Sequence, residues 1–159
     1  MKKDFRYTLA SAILLSLALL VTCSSVEASD ENEEAHCLAK NIYFEAGNQP
    51  LAGRIAVGQV TLNRRNHGMF PNTVCNVVYQ GGETRYRCQF SWYCDGKSDV
   101  PTDSETWMAS IVLAYRLLNF DDMDITEGSF WYHANYIDMP YWSEELTPTV
   151  IINNHIFYK

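Results

Sequence analysis

An apolar stripe near residue 40 sets the first constraint on how this chain folds. Small and branched apolar residues recur there at helical spacing and form one face of a helix: Ala35, Leu38, Ala39, Ile42 and Ala46. The dipeptide Gly47-Asn48, which follows, is typical of a helix C-terminus. The pattern predicts a helix over residues 37–47 that packs against a core along one side.

Glu45 lies in the last turn of this predicted helix, on the flank of the apolar stripe. One side of its carboxylate therefore faces the core, and the other can face a cleft. Apolar neighbours and the negative end of the helix dipole both disfavour the charged form, so we expect the pKa of Glu45 to be raised. A raised pKa suits a general acid. The alternative is a solvated carboxylate at a helix end.

The chain begins with the pattern of a secretory signal. Basic residues precede an apolar run over residues 9–21, and a small-x-small site ends at Ala28, which predicts a signal peptide over residues 1–28. The run is shorter than the roughly 20 residues that a spanning helix needs. The alternatives are that this segment is retained as a membrane anchor, or that the protein is a lipoprotein acylated at Cys23. We predict a secreted, periplasmic or cell-envelope protein whose single domain occupies residues 29–159.

Charge and cysteine content narrow the function classes. The net charge of -7 at pH 7 excludes nucleic-acid binding by phosphate neutralisation. The Arg64-Arg65 pair and Arg85 with Arg87 could offset this charge locally, and the alternative, which we favour, is that they are solvated surface charge. Four cysteines follow the predicted signal, and an even set in an exported chain indicates two disulfides, in one of three pairings. These cysteines are Cys37, Cys75, Cys88 and Cys94. Because they lack metal-ligand spacing, we expect no metal and no cofactor.

Two further helices are predicted. Pro50 is expected to begin a helix that ends near Asn66, in which Gly53 and Gly58 suggest close approach of another backbone. A capping box at Thr102 and Glu105 predicts the next helix, to about Asn119. Its predicted apolar face consists of Met108, Ile111, Val112, Tyr115 and Leu118.

The remaining segments are predicted to form loops and strands. Residues 67–100 are rich in glycine, proline and aromatic residues, which favours loops with short strands such as residues 73–79. Residues 130–134 and 150–158 are also predicted strands. Flat rings beside amide and hydroxyl groups in residues 88–96 suit the faces of sugars.

Short motifs distributed over almost the whole chain after the signal carry a resemblance to a known family. They include the runs 42–46, 53–64, 70–75, 88–92 and 155–158, with Asp95-Gly96, Tyr132-His133-Ala134, and Pro140 with Trp142. This set resembles the cell wall hydrolases of the SleB type, which are named for spore-cortex-lytic enzymes. The resemblance implies an α+β, lysozyme-like, two-lobed domain with about three main helices, a small sheet and loops held by disulfides.

The resemblance also implies a reaction. Members of this family cut the glycan strands of peptidoglycan, and the glutamate of their Tyr-x-Glu-Ala motif, the catalytic acid, corresponds to Glu45. The family usually continues Glu-Ala-Arg-Gly-Glu, whereas this chain has Gln49 at the second acidic position. Hydrolysis of a glycoside ordinarily needs two carboxylates. The departure favours a lytic transglycosylase, in which Glu45 is acid and then base while a 1,6-anhydro ring forms on the muramic sugar.

The other family-like residues are predicted to line the sugar-binding groove. This set comprises Gln89, Phe90, Ser91, Trp92, Tyr132, His133, Trp142 and Asn63. The two tryptophans could stack on sugar rings or be core aromatics. Asp95 is the candidate second acid if hydrolysis occurs. His133 and His155 are expected to be buried, hydrogen-bonded histidines rather than zinc ligands.

Three other functions remain open at this point. They are a muramidase-type hydrolase, a zinc N-acetylmuramoyl-L-alanine amidase and an inactive wall-binding domain. The expected partner is peptidoglycan, with membrane contact only through the N-terminal segment, and the expected state is a monomer.

Overall fold

A computed structural model of the protein describes residues 30–120 and 123–159. The predicted signal peptide, its cleavage site and Cys23 lie outside these residues. The chain divides into a unit up to Glu33 and a compact unit from Glu34 to Lys159. No helix in the described part of the chain is long and apolar enough to cross a membrane.

Four α-helices are the main elements of the described chain. Helix α1 covers residues 30–46, α2 Leu51–Asn66, α3 Val74–Val78 and α4 Ser104–Asn119, with short 3-10 helices at Ser91–Cys94 and Tyr141–Glu145. The predicted strand at residues 73–79 is wrong, because this segment forms α3. Thr73 caps that helix by accepting a hydrogen bond from the backbone N–H of Asn76 at 3.1 Å.

Helix α4 differs from the prediction in its cap and in its buried face. The N-cap is Asp103, whose Oδ1 accepts a hydrogen bond from the Thr106 N–H at 2.6 Å, so the predicted capping box is one residue early. The buried residues are Ser110, Leu113, Ala114 and Leu117. Met108 and Val112 are exposed. Apolar residues occur on every side of α4, so periodicity does not identify the face that packs.

Helix α1 packs in a hydrophobic cluster with residues of α3 and α4. Close packing at Gly58 joins α2 to this cluster, because a Cβ there would lie 2.5 Å from Cδ1 of Leu117 and 3.2 Å from Cδ1 of Ile42. The sequence suggested that another backbone approaches Gly58 closely. In the structure, the side chains of Leu117 and Ile42 do so instead. Asn41 also donates to Thr61 Oγ1 at 3.0 Å, which fixes α1 against α2.

A three-stranded antiparallel sheet forms the second part of the fold. Its strands are β1 Trp131–Ala134, β2 Pro148–Ile152 and β3 His155–Tyr158, in the order β1-β3-β2. The predicted strand over residues 150–158 is thus two strands, joined at Asn153, whose φ of 52° asparagine tolerates. Phe157 packs on Ala56 and Val60 of α2. The predicted α+β fold is confirmed, and α2 is shared by its two hydrophobic clusters.

The two predicted disulfides are present, and the structure supplies their pairing. Cys37 bonds to Cys75, which connects α1 to α3, and Cys88 bonds to Cys94. Glu34 strengthens the first connection, because its carboxylate accepts the Val74 N–H at 2.7 Å at the positive end of α3.

Loss of the two disulfides should cost unequal amounts of stability. Replacing Cys37 and Cys75 with alanine is expected to lower the free energy of unfolding by about 4 kcal/mol, because these residues close a loop of 38 positions. Replacing Cys88 and Cys94, only 6 positions apart, should cost about 2 kcal/mol. Denaturant unfolding of both variants and the wild type measures the difference. A larger loss from the shorter loop would contradict this prediction.

Candidate active site

A cleft of about 960 Å³ lies against the sheet, with Glu45 in its wall. Its volume is in the range of ligand-binding sites. Strand β1, the 88–91 segment and the second 3-10 helix supply most of its walls. Its polar and aromatic lining includes Arg64, Gln89, Phe90, Ser91, Trp131, Tyr132, His133, Tyr136, Tyr141, Trp142, Glu145 and His155.

Glu45 occupies the last turn of α1 and is partly buried. Its Oε2 accepts a hydrogen bond from the Tyr132 hydroxyl at 3.1 Å. Burial raises the pKa of Glu45, while the Tyr132 hydrogen bond and the charge of Arg64 oppose that rise. The direction agrees with the sequence prediction, and loss of hydration is the largest cause. Glu45 therefore holds a proton at a higher pH than an ordinary glutamate does.

Tyr132 reaches Glu45 from β1. It pairs with Phe157 across the sheet, and its ring lies 5.3 Å from that of His155. Burial and the nearby Glu45 carboxylate raise the pKa of Tyr132 well above its ordinary value. The hydroxyl therefore stays protonated and acts as a hydrogen-bond donor to Glu45.

Arg64 is a buried cation in the wall of the cleft, with only 2% of its surface exposed. Its Nε donates to the Phe130 carbonyl oxygen at 2.7 Å, and its guanidinium lies over the rings of Phe70 and Phe90. The side-chain amide of Gln89 is oriented with its oxygen towards Arg64. This oxygen accepts hydrogen bonds from Nη1 and Nη2, each at 3.2 Å. Burial lowers the pKa of Arg64 to about 10, so the group remains charged at neutral pH.

The interpretation of Arg64 as surface charge was wrong. Its position seven residues after Val57 and four after Val60 continues the buried face of α2, and this periodicity was the available signal. Because charged residues are rarely fully buried, composition alone pointed to the surface.

The structure brings most of the predicted groove residues into the cleft. Gln89, Phe90 and Ser91 enter from the segment between the bridged cysteines, Tyr132 and His133 from β1, and Trp142 from the second 3-10 helix. Their contacts with sugar remain predictions. His133 is buried, with Nε2 at 2.8 Å from the Tyr158 hydroxyl and Nδ1 at 2.9 Å from the Ala134 carbonyl oxygen, as expected for a histidine held by hydrogen bonds.

Three predicted residues lie outside the cleft, which corrects their assignment. Asn63 donates to Asp124 Oδ2 at 2.9 Å and to the Ser129 carbonyl oxygen at 3.1 Å, so it holds the loop before β1. Trp92 is a core residue that donates to Asn41 Oδ1 and stacks on Phe44. Asp95 forms a surface ion pair with Lys97 at 3.1 Å.

Several cleft residues were not singled out from the sequence. Tyr136 and Tyr141 are strongly exposed aromatic residues at the rim, and Trp131 and Glu145 also line the cleft. The aromatic density of residues 130–142 was the available signal, the same argument that drew attention to residues 88–96. Among the residues described, no group of three histidine, cysteine, aspartate or glutamate side chains could hold a metal ion.

Residues 48–158 match the family model described as Cell Wall Hydrolase. The chain therefore belongs to the cell wall hydrolase family. The match covers α2 to β3, and Glu45 precedes its first matched residue.

Individual relatives include spore cortex-lytic enzymes. The chain is 39% identical over 49 residues to the spore cortex-lytic enzyme of Bacillus subtilis (strain 168), a match over 31% of this chain and 16% of that protein. It is 42% identical over 43 residues to the spore cortex-lytic enzyme of Oceanobacillus iheyensis, over 27% of this chain and 16% of that protein. The matched stretches thus span less than a fifth of these relatives.

Two solved structures share the fold. The catalytic domain of the Bacillus cereus SleB protein aligns with a TM-score of 0.61 and 26% identity, over 79% of this chain and 89% of that chain. The catalytic domain of the germination-specific lytic transglycosylase SleB from Bacillus anthracis gives the same TM-score and identity, over 79% and 93%. These similarities confirm the resemblance inferred from the motifs.

The raised pKa of Glu45 predicts how Glu45→Gln changes stability with pH. A carboxyl whose pKa is higher in the folded than in the unfolded state contributes stability below the unfolded value, and that stability is lost as pH rises through the folded value. Since glutamine does not titrate, the variant should gain stability relative to the wild type as pH rises from about 4, the ordinary glutamate value, through the neutral range.

Thermal unfolding across this pH range measures the change. Glu83→Gln is the matched control, because Glu83 is exposed and outside the cleft. A constant difference between Glu45→Gln and wild type at all pH values would show that Glu45 does not have a raised pKa.

Proposed function

We propose that this protein is a peptidoglycan lytic transglycosylase that cleaves the bond between N-acetylmuramic acid and N-acetylglucosamine. The observation that carries the proposal is the Glu45 carboxyl, partly buried in the cleft wall, its pKa raised by burial, and hydrogen-bonded by Tyr132. The family, and the structural similarity to a catalytic domain named as a lytic transglycosylase, support the same chemistry.

In the first step Glu45 acts as a general acid. Its carboxyl donates a proton to the glycosidic oxygen as the bond from that oxygen to C1 of the muramic sugar breaks. The raised pKa supplies the protonated form. The leaving N-acetylglucosamine carries the proton away on its new hydroxyl.

In the second step the Glu45 carboxylate acts as a base. It takes the proton from the C6 hydroxyl of the same muramic sugar, whose oxygen bonds to C1 and closes the 1,6-anhydro ring. The Tyr132 hydroxyl and the Arg64 charge stabilise the carboxylate between the steps. No water is consumed, and Glu45 regains its proton.

The distribution of carboxylates supports a mechanism with one acid. Apart from Glu45, Glu145 is the carboxylate that lines the cleft among the residues described, and it is exposed at the end of a 3-10 helix. Asp95 lies outside the cleft, and position 49 is glutamine. An internal hydroxyl needs no second carboxylate to position a water molecule. Glu145 is the candidate base if the reaction is instead a hydrolysis.

We also propose that the N-terminal segment exports the protein, as a signal peptide over residues 1–28. The two disulfides support this location, because such bonds persist in oxidising compartments outside the cytoplasm. Peptidoglycan, the proposed substrate, is found in the same compartment.

Product analysis of purified sacculi tests the reaction. The wild type should release fragments with 1,6-anhydromuramic ends, detected by mass spectrometry, and Glu45→Gln should release none, because its amide cannot supply the proton. Glu83→Gln should match the wild type. Reducing muramic ends that disappear in Glu145→Gln would instead establish a muramidase. Released peptides with intact glycan would establish an amidase.

Tyr132→Phe should slow cleavage by about 100-fold, because one donor to the developing carboxylate is lost. The Tyr132 hydrogen bond lowers the pKa of Glu45, so its removal raises that pKa and moves the alkaline limb of the pH–rate profile to higher pH. Initial rates on sacculi across pH measure both effects. Tyr86→Phe, an exposed tyrosine outside the cleft, is the control. An unchanged alkaline limb in Tyr132→Phe would rule out this role.

A further inference from the structure

Glu45 faces a second pocket in addition to the main cleft. This pocket has a volume of about 540 Å³ and is formed by the end of α1, the turn after it and the start of α4. Glu45, Tyr136 and His155 line both cavities. The groove therefore continues past the acid, and a polymer with its scissile bond at Glu45 would occupy both sides.

Two buried polar atoms in the wall of this pocket have no hydrogen-bond partner. They are Oε1 of Gln49 and Nδ1 of His155, on residues that are 9% and 7% exposed. They are the buried side-chain nitrogen and oxygen atoms without a partner among the residues described. Folded proteins keep few such atoms, because each has lost water without gaining a replacement. Two of them in one pocket indicate a ligand that supplies the missing bonds.

The chemistry of these atoms specifies the ligand. Oε1 of Gln49 can only accept a hydrogen bond, while Nε2 of the same amide already donates to Asn48 Oδ1 at 3.2 Å. His155 is neutral near pH 7, since burial and the nearby His133 lower its pKa, and its Nδ1 donates when it carries the ring proton. One acceptor and one donor in the wall of the same pocket complement a secondary amide, which has one N–H and one carbonyl oxygen.

We propose that the second pocket binds the acetamido group of a sugar on the opposite side of the scissile bond from the main cleft. The sugar N–H donates to Oε1 of Gln49, and its carbonyl oxygen accepts from Nδ1 of His155. Binding requires each side chain to rotate towards the pocket, because both atoms are buried in the structure. This assignment rests on the proposed function, because it takes Glu45 as the point of cleavage.

Binding of two neutral β-1,4 tetrasaccharides tests the assignment. The N-acetylglucosamine tetramer carries acetamido groups, and cellotetraose has hydroxyl groups in their place. Titration calorimetry is performed on the protein carrying Glu45→Gln, which prevents turnover. The acetylated sugar should bind at least about tenfold more tightly. Adding Gln49→Met should reduce this preference to within about threefold and leave the affinity for cellotetraose unchanged.

Matched measurements separate binding from structure. Gln80→Met makes the same substitution at an exposed glutamine outside both pockets and should change neither affinity. Gln49→Met should change the unfolding temperature little, because Oε1 has no partner and the one hydrogen bond lost is that from Nε2 to the side chain of the adjacent, exposed Asn48. Equal weakening of both sugars together with a lower unfolding temperature would show a structural role and overturn the proposal.

Three further outcomes are decisive. An undiminished preference in Gln49→Met, or no binding of the acetylated tetramer, would overturn the assignment even if sacculi are cleaved as proposed. Gln49-dependent binding of a free stem peptide, in place of the sugar, would overturn it in favour of a peptide amide. Gln49-dependent sugar binding without any cleavage of sacculi would refute the transglycosylase but leave the acetamido site intact.

Discussion

The buried guanidinium of Arg64 is the interaction on which the arrangement of the active site depends. A cation removed from water requires compensation from every side. Here the Phe130 carbonyl, the Gln89 amide and the faces of Phe70 and Phe90 provide it. These groups come from the approach to β1, from the bridged 88–94 loop and from the chain after α2. The requirement to satisfy one charge therefore brings three segments together at the cleft.

Two opposing influences, one of them the charge of Arg64, act on the pKa of Glu45. Burial favours the protonated carboxyl, whereas Arg64 and the Tyr132 hydroxyl favour the carboxylate. Burial has the larger effect, so the Glu45 carboxyl keeps its proton at a higher pH than an ordinary glutamate does. When the proton leaves, the two favourable contacts are already in place and need no rearrangement. In the proposed mechanism Glu45 gives a proton and then takes one back, and each condition favours one of these steps.

Local sequence patterns predicted some parts of the structure correctly and failed to predict others. The stripe on α1 predicted both the helix and the raised pKa of Glu45, because its signals lie within a few turns. The segment at Val74–Val78 was predicted as a strand, since a short apolar run fits either helix or strand. Family-like motifs placed Trp92 and Asn63 in the groove, but a motif does not distinguish a core or loop contact from a ligand contact. The disulfide pairing and the burial of Arg64 depend on contacts distant in sequence.

The disulfide that joins α1 to α3 restricts rotation of α1 about its axis. Cys37 is bonded to Cys75, and Glu45 stands eight residues further along the same helix, about 12 Å away at 1.5 Å per residue. Turning the helix by a single residue would swing the carboxyl through about 100° and out of reach of the groove. The angular setting of the acid is thus fixed by a covalent bond more than two turns away. Residues 37–45 are one uninterrupted stretch of α1, so the crosslink and the carboxyl are joined by a rigid segment.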